Sequence, residues 1–355
     1  MALADDPGIT LDELRLAARN HAMPLEALRW PITPVGLHYL LVHYDVPLVD
    51  AEEWRLTIDG AVGRPLVLTL DELRARPRVE LTATMECAGN GRALLEPRPI
   101  SQPWLTEAVG TARWTGVSLS SLLEDTAPGA DAVEVVFTGL DEGLEGGVEQ
   151  RYERSLPLTE AVESGAVLAY EMNGAPLPPQ HGYPLRLVVP GWYGMTNVKW
   201  LGAITITTAP FTGYQVASGY RIRQTEEEHG RPVTRMRPRS LMVPPGIPDF
   251  ATRDRIVDAG PVRLEGRAWS GRAPIERVEV SVDGGATWAD AELDTATDGP
   301  WAWRGWTFDW DAEPGEHVLS CRATDGTGDT QPLEPEWNLG GYENNAVQRV
   351  SVTVP

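Results

Sequence analysis

An α+β domain followed by a small all-β sandwich is the architecture the sequence predicts, and three observations carry it. Up to about residue 237, short strand-like and short helical runs mix without the regular alternation of a parallel βαβ sheet. Between 238 and 256 the chain becomes proline-rich, with Pro238, Pro244, Pro245 and Pro248. From residue 257 apolar residues alternate at period two between Gly- and Asp-bearing turns, the pattern of short sandwich strands. The expected division is an N-terminal extension over 1–40, a first domain over 41–237, a linker over 238–256 and the sandwich over 257–355.

Taken in order, Thr10-Leu11-Asp12-Glu13 opens a short helix, with Thr10 as N-cap and Glu13 three residues on completing a capping box. Pro24, Pro31 and Pro34 then hold the chain extended toward Pro47. Strands are expected over Trp54–Gly60, Val79–Thr84, Val133–Phe137, Ala166–Met172, Leu185–Gly191 and Lys199–Thr207. A brief helix is expected at Leu70–Leu73, and turn then helix from Gly116 to Glu124. Asn173-Gly174 is the strongest short hairpin signal in the chain. In the sandwich, Val262–Gly266, Val278–Val282, Trp301–Trp310 and His317–Ala323 alternate.

Composition narrows the function. The chain has 355 residues, 42% hydrophobic and 23% charged, ordinary for a globular protein. A net charge of -21 argues against nucleic acid as a partner, since that affinity comes from neutralising phosphates. It would also repel small anions unless the site carries a local positive field. Arg221, Arg223, Arg231, Arg235, Arg237 and Arg239 are one source of such a field; a solvated mixed-charge linker is the competing reading. No run of about 18 apolar residues predicts a membrane span. The first residues lack the features of a secretory signal, so a cytoplasmic location is expected, periplasmic only if a signal has been removed.

The chemistry centres on Glu86-Cys87-Ala88-Gly89-Asn90-Gly91-Arg92. A thiol ends a strand, glycines let the backbone approach a ligand closely, and Arg92 would favour the thiolate. Four roles are open to Cys87: a buried inert residue, a zinc ligand, a nucleophile paired with His181, or a single thiolate on a metal held chiefly by a cofactor. Cys321, in an alternating sandwich strand, is expected to be structural. His21, His38, His229 and His317 have no motif around them and are expected to be surface or structural residues. His181, Arg186 and Lys199 lie on loops around a strand and form a donor cluster suited to a large ligand with a phosphate.

Longer motifs carry a resemblance. Glu86 to Arg92, Tyr170 to Pro178, His181-Gly182-Tyr183-Pro184-Leu185-Arg186 and Val189 to Trp200 resemble the sulfite oxidase family of molybdenum enzymes. So do Arg267 to Gly271, Val280 to Gly285, Trp301 to Arg304 and Trp337-Asn338-Leu339. The resemblance implies a mixed-sheet α+β molybdopterin-binding domain followed by an immunoglobulin-like domain that makes a homodimer. It implies that Cys87 ligates molybdenum and that His181, Arg186, Lys199, Gly194 and Thr196 hold the cofactor. Arg92, Trp104 and Tyr220 match substrate-pocket residues. The implied reaction is two-electron oxygen-atom transfer on a small sulfur oxyanion, sulfite foremost. The sequence has no Cys-x-x-Cys-His haem attachment site, so no haem is expected, and electrons are expected to pass to an external acceptor or come from an external donor. A sulfoxide or other organosulfur substrate, and a non-catalytic cofactor carrier, are the other readings.

Two departures bear on the substrate. Where family sulfite oxidases carry Arg-Asn-His, this chain reads His43-Tyr44-Asp45, and where they carry Trp-Asn-Leu-Arg-Gly it reads Trp337-Asn338-Leu339-Gly340-Gly341. Two cations expected around the anion are absent. His43 replaces one of them only if a carboxylate such as Asp45 supports its charge.

Overall fold

The computed structural model describes residues 8–295 and 297–355. The chain opens with helix α1 (Leu11–Ala17), whose Thr10–Glu13 capping box is fully formed. Buried Glu13 also holds Arg98, fixing the extension on the first domain. Strands β1 (Leu56–Gly60), β2 (Leu66–Leu68), β3 (Val79–Glu86), β4 (Val109–Ser118), β5 (Glu134–Glu145), β6 (Val148–Pro157), β7 (Val167–Met172), β8 (Ala175–Pro176), β9 (Arg186–Val188) and β10 (Leu201–Thr207) form two sheets. One runs β2-β1-β10-β5-β6 and is mixed, because β1 and β10 are parallel while the other pairings are antiparallel. The second joins β3-β4-β7-β8, with β9 also on β7. Leu56, Ile58, Val135, Phe137, Leu201 and Ile204 fill the core between the sheets and the helix at Leu119–Thr126. Asn173 and Gly174, both at positive φ, make the expected tight turn from β7 to β8.

After a short hairpin, β11 (Arg221–Ile222) with β12 (Arg231–Pro232), come the strands of the second domain. They are β13 (Arg239–Met242), β14 (Ile247–Pro248), β15 (Arg255–Ile256), β16 (Gly260–Trp269), β17 (Ile275–Ser281), β18 (Ala289–Asp290), β19 (Glu292–Leu293), β20 (Arg304–Ala312), β21 (Gly315–Asp325) and β22 (Gln348–Val354). A sheet β13-β16-β20-β19 faces another of order β14-β15-β22-β21-β17-β18. Leu264, Val278, Trp306, Leu319 and Val352 pack between them, together with Cys321, whose thiol burial pushes up to about 12. Its place in that core fits the structural role expected of it.

Two sequence expectations differ from the fold. Gly116 is not a turn residue: it sits inside β4, where a Cβ would lie 1.9 Å from the Leu168 carbonyl oxygen, so the glycine admits the neighbouring strand β7. The proline-rich stretch 238–256 is not free of regular structure either. It carries β13, β14 and β15, with prolines beside or at the ends of these short strands, where a missing N–H is tolerated.

The seam between the domains runs through the cysteine loop. Glu86, the last residue of β3, is 2% exposed and accepts from Arg239 Nη1 (2.8 Å) and Trp269 Nε1 (2.8 Å), both on second-domain strands, and from Asn90 Nδ2 (3.0 Å). The segment after Leu339 closes the other side: Asn344 Nδ2 donates to the Gly91 carbonyl (2.8 Å) and the Glu343 N–H to the Ala88 carbonyl (2.9 Å). Gly91 stands at φ 88°, and a Cβ there would meet Asn344 at 2.7 Å.

Candidate active site

Cys87 lies just past the end of β3, its N–H bonded to the Ala108 carbonyl (2.9 Å), at one side of a cleft. The cleft holds about 650 Å³ of non-protein space, its open mouth included. Of the residues singled out from sequence, Cys87, His181, Arg186, Gly194, Lys199, His43 and Tyr220 line it. Arg92, Trp104 and Thr196 do not. Thr196 is wholly buried in the turn behind Gly194, with its hydroxyl on Met195 Sδ (3.7 Å). Arg92 and Trp104 are buried beside Cys87 on the far side of the loop. The Arg92 guanidinium folds back over Gly89, where a Cβ would meet it at 2.6 Å, which accounts for the glycine. Burial pushes the Cys87 thiol up, while the Arg92 charge, the Gly89 N–H and the Trp104 indole pull it down.

The donor cluster is assembled by β9 and the segments beside it. Arg186 donates to the carbonyls of His181 (3.0 Å) and Asn197 (3.3 Å) and lies 4.7 Å from the centre of the Trp114 ring. Lys199 Nζ donates to the carbonyls of Leu41 (2.8 Å) and Gln180 (3.1 Å). Among the described residues neither cation forms an ion pair. Burial holds Arg186 down to about 10 and Lys199 down to about 7. His181, desolvated and beside His38, Arg186 and Lys199, is held down to about 2 and is neutral at any working pH.

Two residues of this cleft, and a third packed against it, escaped the sequence reading. His38, dismissed there for want of a motif, is 1% exposed, lies 5.6 Å from the His181 ring, and is kept neutral by burial, at about 4. Asp141 sits where the register of β5 against β6 shifts between Thr138 and Glu142, a bulge that re-aims its side chain into the cleft. Burial raises its carboxyl to about 6. The signal was Gly139-Leu140-Asp141 within a strand run, since a glycine inside a strand marks such a bulge. Tyr342, from the second domain, packs its ring 5.2 Å from that of the cleft residue Tyr220. Its ring occupies the place of any side chain at 340: a Cβ on Gly340 would lie 2.3 Å from it.

His43 departs from expectation in its partner. Its Nε2 meets Glu145 Oε2 at 3.1 Å, whereas Asp45 caps its own turn at the Val46 N–H (2.8 Å). Burial raises Glu145, but hydrogen bonds and charge from His43, with bonds from Gln215 and Tyr44, outweigh it and keep the carboxyl low. None of the 221–239 arginines lines the cleft. Arg231, Arg235, Arg237 and Arg239 are paired with Glu343, Glu160, Glu336 and Glu86, and Arg221 donates to the backbone carbonyls of His229 and Gly230.

A molybdenum–pterin group fits this donor set. Buried polar atoms without partners, His38 Nε2, Asp141 Oδ1 and Arg186 Nε, belong to residues of the same cleft as the Cys87 thiol. Among the described residues no cluster of three His, Cys, Asp or Glu side chains completes a protein-only metal site. A metal at Cys87 therefore needs its other ligands from a cofactor.

Comparison with known proteins agrees. Residues 43–215 match the family described as oxidoreductase molybdopterin binding domain, and residues 236–355 the Mo-co oxidoreductase dimerisation domain. The chain is 37% identical to mitochondrial sulfite oxidase of Mus musculus over 99% of its length and 67% of that protein. It belongs to the sulfite oxidase family of molybdopterin oxidoreductases. Sulfite oxidase of Gallus gallus is 36% identical to this family member, with 90% of this chain and 72% of that protein matched. Against the human enzyme the chain spans 62% of the relative's length. A Brassica napus NADH nitrate reductase is 32% identical over 91% of the chain and 38% of that protein. Among solved structures, the sulfane dehydrogenase SoxCD of Paracoccus pantotrophus superposes with a TM-score of 0.82 at 27% identity, covering 100% of this chain and 90% of that one. Among the described residues no helix is long and apolar enough to cross a membrane.

Proposed function

We propose that this chain is a molybdenum-cofactor oxidoreductase that oxidises sulfite to sulfate. The observation that carries the reading is Cys87 in one cleft with the partnerless His38 Nε2, Asp141 Oδ1 and Arg186 Nε. Cys87 would ligate the metal, and coordination would make it a thiolate outright despite its burial. Arg186 and Lys199, neither held in an ion pair among the described residues, would take the anionic end of the cofactor, restoring the charge that burial suppresses on Lys199. The neutral rings of His38 and His181 would accept or donate single hydrogen bonds, and Asp141 would accept from amide-like N–H groups. Bound there, the cofactor supplies a two-electron couple and oxygen-atom transfer.

The chain's own part lies around the substrate. Sulfite and water give sulfate, two protons and two electrons; the electrons leave to an external acceptor. His43, oriented at the cleft edge by Glu145, would face the substrate, and the released protons pass to water. Tyr220, kept a neutral phenol by burial, offers an O–H donor to the substrate oxygens. Molybdenum and pterin analysis of the purified protein, together with steady-state sulfite oxidation using a dye acceptor, tests the reading. Protein from a cofactor-competent host that contains no molybdenum would overturn it.

A second reading keeps the cofactor and changes the substrate to a sulfane, sulfoxide or other organosulfur compound. Tyr342 favours it, because an aromatic ring stands where the family resemblance implies an arginine. A sulfite KM far above the millimolar range would decide for it. Homodimerisation and a cytoplasmic location complete the proposal; light scattering at twice the chain mass and cell fractionation test them.

A further inference from the structure

Four side chains form one continuous row whose Arg92 end lies beside Cys87. The Arg92 guanidinium lies 5.1 Å from the centre of the Tyr342 ring, that ring 5.2 Å from the Tyr220 ring, and the Arg154 guanidinium 5.4 Å from the Tyr220 ring. Arg154 comes from β6 and shares its inward face with Tyr152, which lines the cleft. It is 3% exposed, yet among the described residues it has no carboxylate partner. One terminal nitrogen donates to the Gln215 carbonyl and Nε has no partner at all. The titratable groups that face it are the phenols of Tyr152, Tyr220 and Tyr342. Arg92 likewise donates only to carbonyls, of Gly340 (3.0 Å) and Gln102 (3.3 Å).

A buried guanidinium without a counter-charge is unfavourable, and contact with one ring face offsets only part of that. An anion arriving at the Tyr220 hydroxyl would supply the rest. The nearby acid does not: Glu145 is already held by His43, Tyr44 and Gln215 (2.6 Å).

We infer that Arg154 is a specificity-determining residue of the substrate site: acting through the Tyr220 ring, it supplies one of the two positive charges lost at positions 43 and 340 and selects a sulfur oxyanion over a neutral substrate. This rests on the sulfur-oxidoreductase reading above. The row has a cation at each end and two phenols between them, of which Tyr220 lines the cleft. Tyr220 is a positioned donor rather than a free one, because Arg154 and Tyr342 hold it between them.

The test compares wild type, Arg154→Gln and Arg154→Lys as holoenzymes, with Arg349→Gln on an exposed ion pair as control. Sulfite KM and kcat, inhibition by sodium sulfate, and turnover of a neutral sulfoxide or sulfide are measured at constant ionic strength. Arg154→Gln should raise the sulfite KM and the sulfate inhibition constant about tenfold or more, the scale of one lost charge-assisted interaction, with kcat within about threefold. Arg154→Lys should recover much of the loss, and the neutral substrate should be unaffected. Unchanged anion constants, or an equal loss for the neutral substrate, would overturn the inference. Should Arg154→Gln not fold, Arg154→Met, which fills similar volume without charge, is judged by the same two outcomes. Stabilisation by sodium sulfate, read as a melting shift, separates the two proposals. If wild type turns over no sulfur compound but its sulfate shift is lost with Arg154, the enzymatic reading fails and the anion site stands.

Discussion

Replacing Glu86 by Gln should be among the most destabilising single changes in the chain. Glu86 and Arg239 are 2% and 1% exposed, and the carboxylate makes three side-chain hydrogen bonds. A glutamine keeps the shape but turns one oxygen into an NH₂, which must then face the Arg239 guanidinium or the Trp269 N–H, donor against donor. With the NH₂ turned toward it, Arg239 would keep only the Asn344 carbonyl (2.7 Å). Breaking one side of a buried ion pair costs about 3–5 kcal/mol, against a whole stability of about 5–15 kcal/mol. Guanidinium unfolding followed by tryptophan fluorescence measures it. Glu334→Gln, which breaks the pair with Arg349 at 72% and 50% exposure, should change stability by less than about 0.5 kcal/mol. Replacing both Glu86 and Arg239 by apolar residues of similar size should cost less than Glu86→Gln alone, since the two are coupled. A Glu86→Gln loss no larger than that of Glu334→Gln would refute the reasoning.

Cofactor-free protein should lose stability as pH falls below about 6.5. His38 and His181 are held neutral in the fold, at about 4 and about 2, so between those values and the unfolded pKa near 6.5 the unfolded chain binds more protons. His38→Gln should flatten the upper part of that slope, seen in denaturation at pH 5 against pH 7. Lys199, depressed to about 7, works over a different window: stability should rise with pH between about 7 and 10.5, and Lys199→Met should remove that rise while weakening pterin retention. Gly340→Arg should not restore a family-like pocket, because its Cβ would fall 2.3 Å from Tyr342; it should destabilise by about 1–3 kcal/mol, and Tyr342→Ala should relieve most of that. Cys87→Ser should abolish turnover while pterin is retained, checked by metal and pterin content.

The cysteine loop and the donor cluster were legible because their signals are local. A thiol at a strand end between glycines, and histidine, arginine and lysine around one strand, are patterns a linear reading can hold. His38, Asp141, Arg154 and Tyr342 were not, for separate physical reasons. His38 acquires meaning only from the ring of His181, far along the chain. Asp141 depends on a bulge, Arg154 on which face of β6 turns inward, and Tyr342 on a turn in the second domain that carries it to the first. The carboxylate beside His43 was sought two residues away, yet it lies at the far end of β5. Strand β4 was missed for a similar reason: Gly116 reads as a turn until the approach of β7 explains it.

The seam at Glu86 bears on modularity. The two family matches divide the chain as though it were two exchangeable parts, yet Arg239, Trp269, Glu343 and Asn344 all hold the few residues that present the thiol. A first domain transplanted onto a relative's second domain would inherit a cysteine loop cut to fit another partner. Shuffling between relatives should succeed only where both faces of the seam travel together, and the two domains should melt in a single transition.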